Sequence, residues 1–177
     1  MHLSSELPAV IANTEATDFD AFFTANYVPL TRLIYRVVGD TGWAEELAAE
    51  AFWKLHRNRP RSSQNLAGWL YRTGLRLALD ELKKSKRRRR YEGFAPEPAA
   101  ELNPEQAAAR MEQQLRVRQV LAAMKPEKAV LLVLRSEGYS LAEVAGILSL
   151  KPNSVGTLLA RADAAFRKEY VSRYGER

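Results

Sequence analysis

The chain has 177 residues, with 27 Lys and Arg against 21 Asp and Glu, two histidines and no cysteine. The length suits one domain or two small ones. The absence of cysteine excludes disulfides and thiolate metal sites, and it fits a reducing compartment such as the cytoplasm. His2 and His56 lie far apart in sequence. No nucleophile–base–orienter set and no metal-ligating cluster stands out, so neither an enzyme nor a metal or other cofactor is expected. No apolar run approaches the roughly 20 residues that span a bilayer, and the N-terminus lacks the basic-then-apolar pattern of a signal peptide. No membrane insertion is expected. The charge is uneven: residues 1–91 carry 15 basic and 10 acidic side chains, residues 92–177 carry 12 and 11. The first half is therefore the stronger electrostatic partner for a polyanion.

Apolar periodicity along the chain is helical, with no convincing period of two. Residues 1–16 read as a mobile leader. Phe19, Phe22, Phe23 and Tyr27 start the first stripe. Pro29 is expected to bend or restart that helix, after which Leu30, Leu33, Ile34, Val37 and Val38 continue it to Gly39. Asp40 or Thr41 can cap a second helix running to about Arg57. Ala44, Leu47, Ala48, Ala51, Phe52 and Leu55 share one arc of it, and Glu46, Glu50 and Trp53 share the opposite arc.

Residues 57–65 form a basic polar loop by composition. A third helix is predicted from about Leu66 onward, with Leu66, Leu70, Leu75, Leu77, Leu79 and Leu82 making a broad buried surface. Arg72, Arg76, Lys83, Arg87 and Arg90 line its remaining stripe. The helix ends in Lys83-Lys84-Ser85-Lys86-Arg87-Arg88-Arg89-Arg90, seven cations in eight residues. Such a run repels itself and calls for a polyanion. Residues 92–104, with Gly93, Pro96, Pro98 and Pro104, have the composition of a linker.

Further helices are predicted at about 105–123, 126–137, 140–148 and 152–171. Ser140-Leu141-Ala142-Glu143 is a capping box, and Pro152 stands where the first residue of the last helix belongs. A short helix, a tight turn and a longer helix fit a helix-turn-helix, whose second helix enters the major groove by its N-terminal end. A helical hairpin used only for packing has the same pattern. The expected fold is all-α: two small helical domains, 17–91 and 105–177, joined by a flexible linker.

Both halves resemble one family. Gly39-Asp40, Ala44-Glu45-Glu46-Leu47-Ala48-Ala49-Glu50-Ala51-Phe52, Trp69-Leu70-Tyr71-Arg72 and Leu77-Ala78-Leu79-Asp80 match in the first half. Met124-Lys125-Pro126, Gly138-Tyr139-Ser140-Leu141-Ala142-Glu143-Val144-Ala145 and Ser154-Val155 with Arg161-Ala162 match in the second. In this order and spacing the chain resembles a bacterial RNA polymerase sigma factor of the extracytoplasmic-function group.

The resemblance implies a non-enzymatic initiation factor that binds core RNA polymerase and promoter DNA, and an anti-sigma factor as its regulator. It places Glu46, Leu47, Glu50 and Trp53 on the polymerase-docking helix. Two carboxylates one turn apart beside an aromatic suit a basic, partly apolar partner, although a solvated helix face has the same pattern. It places minus-ten recognition and melting on the loop and third helix, with Arg57, Arg59, Arg61, Arg72, Arg76, Lys83, Lys84, Arg87 and Arg88 as contacts. It places minus-thirty-five contact on Lys151, Asn153, Ser154, Thr157 and Arg161.

Four positions depart from the family pattern. Ala49 and Arg76 stand where Gln and Asn are common, and Gly156 and Leu158 stand where Lys and Arg are common. Two other readings stay open: a helix-turn-helix regulator that does not engage polymerase, and a sigma-like protein acting mainly through protein partners.

Overall fold

The computed structural model describes residues 19–58, 65–92 and 104–175, with the side chains of 85–92 and 104–105 left aside. The expected leader, Arg59 and Arg61 of the loop, the Arg87 and Arg88 side chains, and most of the linker fall outside the described residues. Among those residues the chain forms seven α-helices and no strand: α1 (Phe19–Val38), α2 (Thr41–Arg57), α3 (Leu66–Glu92), α4 (Pro104–Ala123), α5 (Pro126–Ser136), α6 (Leu141–Leu148) and α7 (Pro152–Tyr174).

Pro29 does not divide α1. The helix runs through it because Leu30, Leu33, Ile34 and Val37 are almost wholly buried on one face, and that packing outweighs the missing backbone donor. Inside the same helix, Asn26 is the one buried polar residue among those described. Its Nδ2 donates to the Phe22 carbonyl at 2.9 Å, so the buried amide nitrogen has a hydrogen-bond partner.

α1 ends as its glycine predicts. Gly39 adopts φ +75°, and its N–H donates to the Tyr35 carbonyl at 2.7 Å. The positive φ favours glycine there, while the Arg118 guanidinium of α4, which lies where a Cβ at Gly39 would stand, is the end of a flexible side chain that could move aside. Asp40 then caps α2, its Oδ1 accepting from the Trp43 N–H at 2.8 Å. Asp40→Ala should cost about 1 kcal/mol of stability, as loss of a side-chain N-cap does. Urea unfolding should show a lower midpoint at an unchanged slope.

α1, α2 and α3 pack on one another, and α5, α6 and α7 form a second group with α4. The two halves are not separate in space. α3 also touches α4, α5 and α6, and α1 touches α5, so one apolar core runs from Phe22 and Leu30 through Leu70 and Leu79 to Leu134, Ile147 and Val155. The Tyr71 hydroxyl of α3 is hydrogen-bonded to that of Tyr139, between α5 and α6, and burial of the pair raises both phenols above their ordinary range.

Candidate nucleic-acid interface

Three surfaces carry the residues singled out in the sequence. The first is the outer arc of α2. Glu46 and Glu50 are exposed, and Trp53 is 54% exposed. Lys54 Nζ lies 3.2 Å from Glu50 Oε1. The Arg57 guanidinium sits over the Trp53 ring, 4.7 Å from its centroid.

One expectation is corrected. Leu47 is only 6% exposed and belongs to the core, so it supports the acidic face from beneath and is not part of it. Its place on the apolar arc of α2 decides this. Arg57, expected against DNA, is exposed at the end of α2 with its guanidinium over the Trp53 ring.

The second surface is α3. Arg76 and Lys84 are exposed and Lys83 is half-buried. Trp69 is half-buried against the core. Arg72 is not free on the stripe: its Nη1 donates to the Ile147 carbonyl at 2.6 Å and to Ser149 Oγ at 3.0 Å. Burial, and then the neighbouring cation Arg76, lower its pKa, yet a guanidinium stays charged.

Asn65, left in the loop by composition, does two things. Its Oδ1 caps α3 by accepting from the Gly68 N–H at 2.8 Å. Its Nδ2 donates to the Gly146 carbonyl at 2.6 Å and to Ser149 Oγ at 3.3 Å. An Asn just before an apolar helical run is a capping signal, and that signal could have found the first role; nothing local announces the second.

The third surface is the helix-turn-helix. The capping box forms in full: Ser140 Oγ accepts from the Glu143 N–H, and Glu143 Oε2 accepts from the Ser140 N–H at 2.7 Å. These bonds hold the Glu143 carboxyl below its usual range. α6 closes with Ser149 at φ 54°. There the Leu150 N–H donates to Ala145 O at 2.9 Å and the Ser149 N–H to Gly146 O at 3.3 Å, a Schellman closure. Pro152 opens α7. Lys151, Asn153, Thr157 and Arg161 are exposed, and Ser154 is half-buried. Gly156 is exposed as well, with open space where a Cβ would go. Among the described residues no group of three or more His, Asp or Glu could hold a metal ion, and no helix is long and apolar enough to cross a membrane.

The arrangement thus presents an acidic-aromatic helix face, a basic helix and a capped helix-turn-helix on one chain. Residues 22–88 match the family model for Sigma-70 region 2, and residues 114–163 match that for Sigma-70, region 4. The chain is similar to three curated proteins. It is 27% identical to the probable RNA polymerase sigma factor RfaY of Xanthomonas campestris pv. campestris, over 97% of this chain and 45% of that protein. It is 28% identical to the ECF RNA polymerase sigma factor SigE of Mycolicibacterium smegmatis, over 81% of this chain and 57% of that protein. It is 26% identical to the ECF RNA polymerase sigma factor SigW of Bacillus subtilis, over 78% of this chain and 81% of that protein. The chain spans about half the length of the first two. With region 2 on α1–α3 and region 4 on α4–α7, in that order, the chain belongs to the extracytoplasmic-function group of the sigma-70 family.

Proposed function

We propose that this chain directs core RNA polymerase to promoters and helps open them, itself catalysing nothing and acting in the bacterial cytoplasm. The observation that carries this reading is the exposed Glu46, Glu50 and Trp53 face on α2, on the same chain as a capped helix-turn-helix. A regulator that only binds DNA has no use for the first.

Glu46 and Glu50 would meet a basic partner surface, with Trp53 as the apolar anchor. α3, with Arg76 and the basic run, would follow the melted minus-ten element, where phosphate contacts position the strand and an unstacked base enters a pocket. α7 would lie in the groove of the minus-thirty-five element. An anti-sigma factor that engages both halves would be its regulator. Start-site mapping after overexpression tests the reading. New starts should share two upstream elements at fixed spacing; starts with no shared element would contradict it.

A specific observation also favours contact with protein as part of the role of α7. From Lys151 to Arg161 its first turns carry only those two cations, few for a helix that tracks phosphates. Gly156→Ala separates the possibilities. With open space at the site, alanine should stabilise the helix by about 1 kcal/mol, seen as a higher melting temperature. If α7 reads DNA by close backbone approach, the added methyl should also weaken protection of the upstream element in footprints of holoenzyme. Unchanged protection assigns Gly156 no part in DNA contact.

A further inference from the structure

We infer that Arg57 is part of the polymerase dock on α2, as a positioning residue that holds the Trp53 ring ready for the partner. The inference rests on the reading of the α2 face as that dock.

Glu46, Glu50, Trp53 and Arg57 follow one another at spacings of four, three and four residues. At about 100° per residue their side chains fall within roughly 60° of arc, and at about 1.5 Å per residue the stripe is about 16 Å long. It reads carboxylate, carboxylate, aromatic, cation from one end to the other. The stripe stays in register to the last residue of α2, because the helix is regular up to its close. There the Asn58 N–H donates to the Lys54 carbonyl at 2.9 Å.

Side chains on a helix lean toward its N-terminus, so a residue at i+4 covers the turn that holds residue i. Arg57 accordingly lies back over Trp53, its guanidinium 4.7 Å from the ring centroid. Lys54 is engaged elsewhere, its Nζ 3.2 Å from Glu50 Oε1. Trp53 and Arg57 are both exposed, and neither belongs to the apolar core. The fold therefore has little need of their contact. An exposed Trp gives up side-chain freedom when a partner covers it. A guanidinium laid over the ring removes part of that freedom beforehand and leaves the rest of the ring to the partner.

Charge alone argues the other way, which gives the inference a sign. The partner that suits Glu46 and Glu50 is basic, and a cation in the same stripe repels it. If Arg57 acted on the dock only through its charge, removing it would tighten binding. If it serves by holding Trp53, removing it loosens binding. A cation–π contact strengthens as the partner excludes water from it.

Fluorescence anisotropy of the full chain, labelled at its N-terminus and titrated with core RNA polymerase, reads the result. Arg57→Ala should bind about five- to tenfold more weakly than the parent, the scale of a cation–π contact desolvated at an interface. Arg57→Lys should recover part of that loss, because an ammonium keeps the charge without the flat stacking surface. In a Trp53→Ala background Arg57→Ala should cost nothing further, since the two residues act as one unit. Thermal unfolding followed by circular dichroism should be little changed by Arg57→Ala, which separates lost binding from lost fold. Unchanged or tighter binding of Arg57→Ala, with Trp53→Ala still weakening it, overturns the inference and leaves the dock standing. A loss that persists at full size in the Trp53→Ala background overturns it too. So does a loss confined to promoter binding by holoenzyme, which returns Arg57 to the DNA. If neither Trp53→Ala nor Glu46→Lys with Glu50→Lys lowers affinity for core enzyme, the dock itself fails and the role of Arg57 fails with it.

Discussion

Reversing both carboxylates of the α2 face, Glu46→Lys with Glu50→Lys, is expected to lower affinity for core RNA polymerase about 100-fold or more, because opposed like charges at an interface cost several kcal/mol. The fold should persist. Both side chains are exposed, and the reversal breaks the Glu50–Lys54 pair, an exposed ion pair worth about 1 kcal/mol at most. Circular dichroism should show unchanged helix content while pull-down with core enzyme fails. Trp53→Ala should reach a comparable loss by another route, since a half-exposed Trp that becomes buried on docking is the residue type that anchors interfaces, at about 2 kcal/mol or more. Leu47→Ala should behave oppositely, lowering stability by about 2 to 5 kcal/mol as a core truncation does. Undiminished polymerase binding by the double reversal would show that α2 is a solvated face and not a dock.

Neutralising Lys83, Lys84, Arg87 and Arg88 together should weaken promoter binding by holoenzyme strongly and evenly. Removing four phosphate-binding cations should reduce the slope of log affinity against log salt by up to about 3.6 on duplex DNA. The deficit should be largest at low salt and similar on every promoter, because phosphate contacts position the protein without reading sequence. Lys84 is exposed and Lys83 half-buried on the same helix that carries Arg72 and Arg76. The exposed start of α7 has few cations, which leaves this run with a large share of the electrostatic attraction. A change in promoter preference, with the overall affinity kept, would give the run a reading role in place of an anchoring one.

The helices were legible in the sequence wherever a local signal and the apolar period agreed. Asp40 before α2, Ser140 and Glu143 at α6, and Pro152 at α7 are local chemistry, and all three act as written. Pro29 shows the limit. A breaker by its own propensity, it lies within a continuous α1 because burial against two neighbouring helices decides the outcome. The two-sided burial of α3 was foreshadowed by the width of its leucine surface. Leu66, Leu70, Leu75 and Leu79 are buried, more than one packing face of a surface helix needs.

The candidate site was less legible. Residue type and periodicity placed Glu46, Glu50 and Trp53 outward and would have placed Leu47 inward; only the family resemblance put it on the docking face. Nothing local could reveal that Arg72 spends its donors on Ile147 and Ser149, or that Asn65 reaches Gly146, because those hydrogen bonds join residues 75 or more positions apart. A serine in the left-handed region is equally silent in sequence, since only the backbone shows that glycine would have been the easier choice.

If this chain turns core RNA polymerase into a promoter-specific enzyme, run-off transcription with purified core enzyme shows it most directly. The template carries a start site mapped after overexpression. One discrete transcript should appear when the parent chain is added, with little or none for Glu46→Lys with Glu50→Lys. No promoter-specific transcript from the parent chain, together with no binding to core enzyme, would contradict that role.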